Sequence, residues 1–328
     1  MAWDSPNRAG AVGPRASALS LKSLPDDVND EPPMVRPVVP EAEREIGVKH
    51  PVLTHGYVVL VDYMGNDAAI VQAARVSYGK GTKSFRDDRG LIRYLMRHRH
   101  TTPFEMVDFK FLIRLPIFVA RQMIRHRTVS VNEFSARYSI LPDEYEVPPP
   151  EEVRHQSTRN RQGRGDPLPP DVIDSFRSDL DRISKESYAA YTRALDAGVA
   201  RETARLLLPV AYYTQWYWKI NLWNLFHFLS LRLDPHAQEE IRLYAAELAK
   251  IARIVAPVAC EAFEEFTLSS VSFGRKEQVA IRALLEGKTP EQSCELAGLP
   301  LTREDGKQMT TGEGVEFLDK LARIRSPD

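Results

Sequence analysis

The sequence predicts a mixed α/β protein, on three observations. Val107 to Leu115 alternates Val107, Phe109, Phe111, Ile113 and Leu115 against Asp108, Lys110 and Arg114, the period of two of a half-buried strand, with Leu112 the one break. The run Tyr57-Val58-Val59-Leu60-Val61 is a second strand signal. Further along, apolar residues recur at helical spacing through Ile173, Phe176, Leu180 and Ile183.

The elements follow in chain order. Residues 1–48 carry seven prolines in their first forty positions and no sustained apolar period, which predicts a disordered extension with folded structure beginning near residue 50. After the strand at residue 57, Asn66 or Asp67 caps a helix through Ala68-Ala69-Ile70-Val71, and Leu91 to Met96 forms another that runs into Arg97-His98-Arg99-His100. Pro116 suits the first position of a helix from Ile117 to about Ile124, where its missing N–H costs nothing. Seven prolines between residues 142 and 170, around the basic segment Arg159 to Gly165, mark a long loop. Helical spacing then resumes and ends near Gly198, a C-cap residue type. Further helices are expected over Arg201 to Leu208, Val210 to Leu233 and His236 to Phe266. Short helical segments such as Gln278 to Leu285 and Glu291 to Leu296 follow in the tail. The aromatic set Tyr212, Tyr213, Trp216, Tyr217 and Trp218 reads as helix packing.

Composition limits the function classes. A chain of 328 residues, 43% hydrophobic, can bury one large core or two modest ones. No run of eighteen apolar residues occurs and the N-terminus has no apolar stretch of signal-peptide length, so a soluble cytoplasmic protein with no membrane partner is expected. The two cysteines, Cys260 and Cys294, are too few for a disulfide framework or a thiolate metal site. A net charge of −1 gives the whole molecule no bulk attraction to nucleic acid. Anion binding must therefore come from local clusters.

One such cluster is Arg125-His126-Arg127-Thr128-Val129-Ser130-Val131-Asn132-Glu133-Phe134-Ser135-Ala136-Arg137. Arginine's planar fork binds phosphate in a bidentate way, and serine hydroxyls with backbone N–H groups complete such sites. A phosphorylated ligand is the natural reading of these groups, while composition alone favours a solvated basic loop with salt bridges.

The same segment, RHRTVSVNEFSAR, resembles position for position the RHRxxSxNExSxR signature of flavin-dependent thymidylate synthases. The resemblance extends to DYMGNDAAIVQAARVSYG from Asp62, HTTPFE from His100, PIFVARQ from Pro116, RETARLLLP from Arg201 and LRLDPHAQ from Leu231, spanning about residues 50 to 268. It implies an α/β (α+β) fold in which helices wrap an antiparallel sheet, assembled as a homotetramer with ligands at subunit interfaces. The implied reaction is methylation of dUMP to dTMP, with 5,10-methylenetetrahydrofolate giving the carbon, FAD reduced by NADPH giving the hydride, and tetrahydrofolate released.

Carried over residue by residue, the resemblance implies that Gln122, Arg125, Glu133, Ser135, Ala136, Arg137, Arg205 and Arg232 surround dUMP, with Arg232 catalytic through a uracil carbonyl. FAD contacts are implied at Ser77, His100, Thr102, Glu105, Arg125, His126, Arg127, Glu133, Asn221 and His236. Trp223 stands where some members have a basic residue touching FAD, and His227 where some have asparagine.

Blander readings exist for several of these. Arg205 and Arg232, flanked by leucines on helices, read in isolation as snorkelling surface arginines. His98 and His100 lack the set of carboxylates and histidines that a metal needs, so no metal is expected. Ser135 has no nucleophile-elbow sequence around it and is assigned to substrate binding. The rival functions are a flavoprotein using another nucleotide, and a nucleic-acid-binding protein whose segment Gln278 to Pro300 loosely resembles helix-turn-helix. Near-zero net charge argues against the second. The expected organisation is an extension over 1–48, a catalytic domain over 49–270 and a C-terminal helical extension over 271–328.

Overall fold

A computed structural model describes residues 38–76, 88–157, 163–303 and 305–325. Its first element is a short helix, α1 (Pro40–Glu45), whose Ala42 is fully buried and whose Glu43 accepts a hydrogen bond from the Tyr63 hydroxyl at 2.7 Å. The expectation of an unstructured extension up to residue 48 is corrected there: a proline start and one well-packed alanine tie this turn to the core. Residues 1–37 of that extension lie outside the described residues.

Strands β1 (Lys49–Val52) and β2 (Gly56–Met64) form a hairpin. Helix α2 (Asp67–Val76) follows, capped by Asn66, whose Oδ1 accepts from the Ala68 N–H at 3.0 Å. Then come α3 (Asp88–Arg97), the single turn α4 (Thr102–Glu105), β3 (Asp108–Pro116) and α5 (Ile117–Met123). Pro116 closes the strand and is the N-cap, one position before the expected first helical residue.

Strand β4 (Ser130–Glu133) falls inside the basic segment, where no strand was expected. The proline-rich stretch holds a small hairpin, β5 (Arg154–Gln156) with β6 (Arg164–Pro167). Helix α6 (Pro170–Asp196) ends at Gly198, and α7 (Arg201–Ala204) tightens into a 3-10 turn over Arg205–Leu207.

The largest correction is β7 (Tyr213–Asn221), read from sequence as part of one helix over residues 210–233. Trp216, Trp218 and Ile220 are buried while Gln215, Tyr217 and Lys219 are not, which is the period of two of a strand carrying aromatic and β-branched residues. The helix starts only at α8 (Leu222–Arg232), where Asn221 Oδ1 accepts from the Asn224 N–H at 2.9 Å. The expected helix over 236–266 is likewise broken into α9 (Glu239–Val255) and α10 (Pro257–Phe263). Pro257 has no N–H to continue the ladder, and the Asp67 carboxylate takes the Val258 and Ala259 N–H groups, each at 2.9 Å.

All pairings in the main sheet are antiparallel, in the order β1-β2-β3-β7-β4. Register aligns Phe111 with Leu60 on one side and Trp218 on the other, and Ile113 with Val58 and Trp216. One face is therefore continuously apolar. Each such buried side chain contributes about 1.5–3 kcal/mol. Helices α2, α3, α8, α9 and α10 share this core. The mixed fold with an antiparallel sheet packed by helices is the one the resemblance implied.

The tail forms α11 (Arg275–Leu285), α12 (Pro290–Leu296) and α13 (Glu313–Arg325) around a second cluster of Ala280, Cys294, Leu299 and Phe317. No helix among the described residues is long and apolar enough to cross a membrane.

Gly56 marks the tightest approach in the sheet: a Cβ there would lie 1.9 Å from the Tyr244 hydroxyl, 2.6 Å from the Val52 carbonyl oxygen and 2.9 Å from that of Arg114. Two of these are backbone and cannot swing away. Gly56→Ala should lower unfolding free energy by about 2–4 kcal/mol, read from urea denaturation against the parent protein.

Candidate active site

The edge strand β4 presents the centre of the basic segment. Its Glu133 pairs with Trp216 of β7 and accepts from the Thr214 hydroxyl at 2.7 Å, and the Phe134 N–H donates to the Gln215 carbonyl at 2.7 Å. Past this last ladder bond the chain turns on Ser135. Its carbonyl accepts from the Tyr138 N–H at 3.0 Å, and its Oγ from the Arg137 N–H at 3.3 Å.

This turn and the 3-10 turn after α7 enclose a cavity of about 420 Å³ that contains Glu133, Ser135, Ala136, Arg137, Arg205 and Thr214 over an apolar floor of Ile117, Leu141 and Leu208. Arg137 and Arg205 have no carboxylate partner among the described residues; Arg205 Nε donates only to the Glu202 carbonyl, at 3.3 Å. Two unneutralised guanidinium groups beside a serine hydroxyl form an anion site. Five of the eight residues expected around dUMP meet here. Gln122, Arg125 and Arg232 do not line this cavity.

Those three lie elsewhere. Arg232 is the last residue of α8, and its Nε donates to His126 Nε2 at 3.0 Å. His126 is buried, with its ring 4.8 Å from Phe228 and 6.1 Å from His227, centroid to centroid. Burial, then the charges of Arg232 and His227, pull its pKa down to about 4, so at neutral pH it is an uncharged acceptor. Arg232 is thus held in place without being neutralised. Gln122 donates to Gln238 Oε1, and Arg125 and Arg127 flank His126 at the surface.

The residues expected around FAD are distributed. Trp223 and His227 line a cavity of about 640 Å³ beside α3, together with Arg97 and Arg99, which the sequence reading left unassigned although it noted their basic run. The Trp223 ring is 5.9 Å from Phe104 of α4, the helix bounded by Thr102 and Glu105. His100 is exposed, its ring 6.0 Å from Tyr94. Asn221 serves as the cap of α8 already described. His236 is held by Asp234 at 2.8 Å and lines a separate cavity with Arg154 and Arg164. Ser77 lies outside the described residues. Thr214, which anchors Glu133, was missed because β7 was read as helix.

Neither cysteine lies at these cavities. Burial pushes the Cys260 thiol up to about 12 and raises that of Cys294. Neither is a thiolate at neutral pH, so neither is suited to nucleophilic attack.

The chain matches a family model described as thymidylate synthase complementing protein over residues 59–258. A flavin-dependent thymidylate synthase of Rickettsia bellii is 47% identical over 288 residues, covering 84% of this chain and 97% of the relative. Another, from Ruegeria pomeroyi, is 50% identical over 295 residues, covering 89% and 94%. Among solved structures, a UMP/dUMP methylase from Streptomyces cacaoi bound with 5-Br dUMP is 37% identical with a TM-score of 0.60, over 67% of this chain and 99% of that one. These likenesses define an enzyme. The chain belongs to the flavin-dependent thymidylate synthase family.

The His126 environment sets a pH signature. The unfolded chain protonates this histidine near 6.5 and the folded one only near 4, so its contribution is fully present above about 6.5 and is lost as pH falls toward about 4. Over that window the parent should lose on the order of 1–3 kcal/mol relative to His126→Gln in matched urea titrations. Parallel pH profiles for the two proteins would contradict a buried neutral imidazole.

Proposed function

We propose that the protein methylates dUMP to dTMP, taking the carbon from 5,10-methylenetetrahydrofolate and reducing equivalents from NADPH through FAD, with tetrahydrofolate as product. The observation that carries this reading is the β4 cavity: two arginines with no acidic partner among the described residues, beside a serine hydroxyl, suit a nucleoside monophosphate. The Streptomyces relative binds a dUMP analogue, which supports the same substrate class here.

In this reading Arg137 and Arg205 take the phosphate, with Arg125, Ser135, Ala136, Gln122 and Glu133 around the nucleoside. Arg232 donates to a uracil carbonyl oxygen, favouring the electron-rich form whose C5 bonds to the methylene carbon as that carbon's bonds to the folate nitrogens break, the electron pairs staying on nitrogen; the C5 proton then leaves. A carboxylate beside Arg232 would cancel this charge, whereas neutral His126 only orients it. FAD, when bound and reduced, supplies the hydride that completes the methyl group.

The donor set fits such a cofactor. Trp223 offers a ring face, Arg125, Arg127, His227 and His236 offer donors, and His100, Thr102, Glu105, Asn221 and Ser77 complete the set assigned to it. Residues 49–270 would form the catalytic domain and 271–328 an appended helical module, a division that the separate tail cluster supports.

Release of tritium from C5-labelled dUMP, dependent on both the folate and NADPH, tests the reaction. A yellow protein that oxidises NADPH without that release would be a different flavoenzyme. Arg232→Ala should fold and keep its flavin while losing dTMP formation by at least about 100-fold.

Because Arg232 does not line the cavity that contains Arg205, we also propose a homotetramer in which each dUMP is held by residues of two subunits. Arg232→Ala and Arg205→Ala, each inactive alone, should regain a substantial fraction of activity when co-expressed as mixed oligomers. Activity remaining at the single-variant level in verified mixed species would refute a shared site.

A further inference from the structure

Among the described residues, four helices end in the same hydrogen-bonded turn, and one of them breaks its chemical rule. In α6, α11 and α12 the N–H two residues past the last helical turn reaches back to close it: Val199 to the Ala194 carbonyl at 2.9 Å, Lys288 to Ala283 at 3.0 Å and Leu299 to Cys294 at 2.9 Å. The residue that must turn left-handed is glycine each time, Gly198 at φ +84°, Gly287 at +86° and Gly298 at +64°. Helix α3 closes identically, with His100 donating to Leu95 at 2.9 Å and Arg99 to Met96 at 3.1 Å. Here the left-handed residue is Arg99, at φ 55°. A Cβ is disfavoured in that conformation, so arginine lowers the stability of this helix end relative to glycine.

The strained turn places Arg99 on the wall of the 640 Å³ cavity with Arg97, Trp223 and His227. Among the described residues, no acidic one lines that cavity. The nearby Glu261 is engaged by Arg89 at 2.6 Å and Arg93 at 2.9 Å, and Arg97 and Arg99 have no carboxylate partner among the described residues. The opposite wall brings the hydroxyls of Ser270 and Ser272. That wall is anchored twice: Phe266 lies under the Arg93 and Arg97 guanidinium groups at 4.7 and 5.5 Å, and Arg323 of α13 donates to the Leu268 carbonyl at 3.1 Å. Residues 266–272 lie beyond the stretch matched by the family model, which ends at residue 258.

We propose that this cavity is an oxyanion subsite, in which Arg99, Arg97, Ser270 and Ser272 hold a phosphate or carboxylate carried by an aromatic heterocycle lying against Trp223. Two cations, two hydroxyls and a ring face without a compensating acid are suited to such a ligand. The inference rests on the thymidylate synthase reading above, which supplies three molecules with this chemistry: a flavin dinucleotide, a phosphorylated nicotinamide dinucleotide and a folate with its glutamyl carboxylates. Arg99 is a binding residue here and takes no part in bond making.

Arg99→Gly separates the two properties of this position, because it removes the cation and relieves the turn. Freed of flavin, the full-length protein should melt about 1–3 °C higher than the parent treated the same way, a comparison into which ligand affinity does not enter. One ligand constant should weaken at least tenfold: the FAD dissociation constant by fluorescence titration, the KM for NADPH measured beside that for NADH, or the KM for triglutamyl measured beside monoglutamyl folate. The arm that moves identifies the source of the anion, and Arg99→Lys should recover part of the loss while keeping the strain. The paired Ser270→Ala, Ser272→Ala protein should weaken the same constant by about threefold or more. All three constants within twofold of the parent in both the Arg99→Gly and the serine variants would overturn the subsite. The FAD titration needs no turnover, so an absence of tritium release in the parent would refute the thymidylate reading while leaving this test readable.

Discussion

The pairing of β3 with β7 carries more of this molecule than any other contact, because register there decides both the core and the placement of the elements that bring Glu133, Arg137 and Arg232. Nine consecutive partners, from Asp108 opposite Asn221 to Pro116 opposite Tyr213, set Phe109, Phe111 and Ile113 beside Ile220, Trp218 and Trp216 on one face. A slip of one residue would turn both aromatic rows to the other side. From the fixed β7 the chain extends the ladder to β4, which delivers Glu133, Ser135 and Arg137. From its other end the chain runs without a loop into α8, which delivers Trp223, His227 and Arg232. Arg137 and Arg232 therefore follow directly on elements of the sheet ladder, and their spacing is inherited from it.

Electrostatics explains why such a site needs that rigidity. Arg137, Arg205, Arg97 and Arg99 carry no acidic partners among the described residues, so no ion pair seen there adds to the stability of the folded protein. Elsewhere the same chain pairs its arginines freely, as Arg164 does with Glu152 and with Glu240 at 2.6 Å. Arg232 is the intermediate case. Burial disfavours its charge, and the one group bonded to its Nε is an imidazole whose own pKa is depressed, so the cation is oriented and kept whole. Such an arrangement costs stability and is retained where an anion or a developing negative charge is to be met.

Much of this was legible in the sequence, and the failures share a cause. β2, β3, α2 and the Gly198 helix end were readable because each rests on a local signal: an apolar alternation, an Asn cap, a glycine that can turn left-handed. β7 was not, since the run Tyr213 to Trp218 is apolar and aromatic enough to satisfy helical spacing as well as strand spacing. Only pairing with β3 on one side and β4 on the other selects the strand. β4 itself is four residues of mixed polarity and has no strand signal apart from its partner. The β4 cavity, by contrast, was half visible as a cluster of arginines and hydroxyls, because phosphate chemistry leaves a compositional trace within a few residues. That Arg205 joins it from seventy residues away came from motif resemblance, and that Thr214 supports Glu133 required the strand.

The tail is bound to this scheme by few contacts, and their placement gives it a meaning that its charge pattern alone does not. Its own small core of Ala280, Cys294, Leu299 and Phe317 is separate from the main one, closed by the Lys320–Glu277 ion pair at 2.8 Å. A module held only by itself would be free to move against the sheet. Arg323, however, reaches from α13 to the Leu268 carbonyl, and residues 266–272 are the same stretch that walls the cavity beside α3. Arg93 and Arg97 hold that stretch from the other side through the Phe266 ring. The segment linking the two cores is thus clamped between a catalytic-domain helix and a tail helix, and whatever ordering the tail imposes on it is imposed directly on the cavity that contains Arg99.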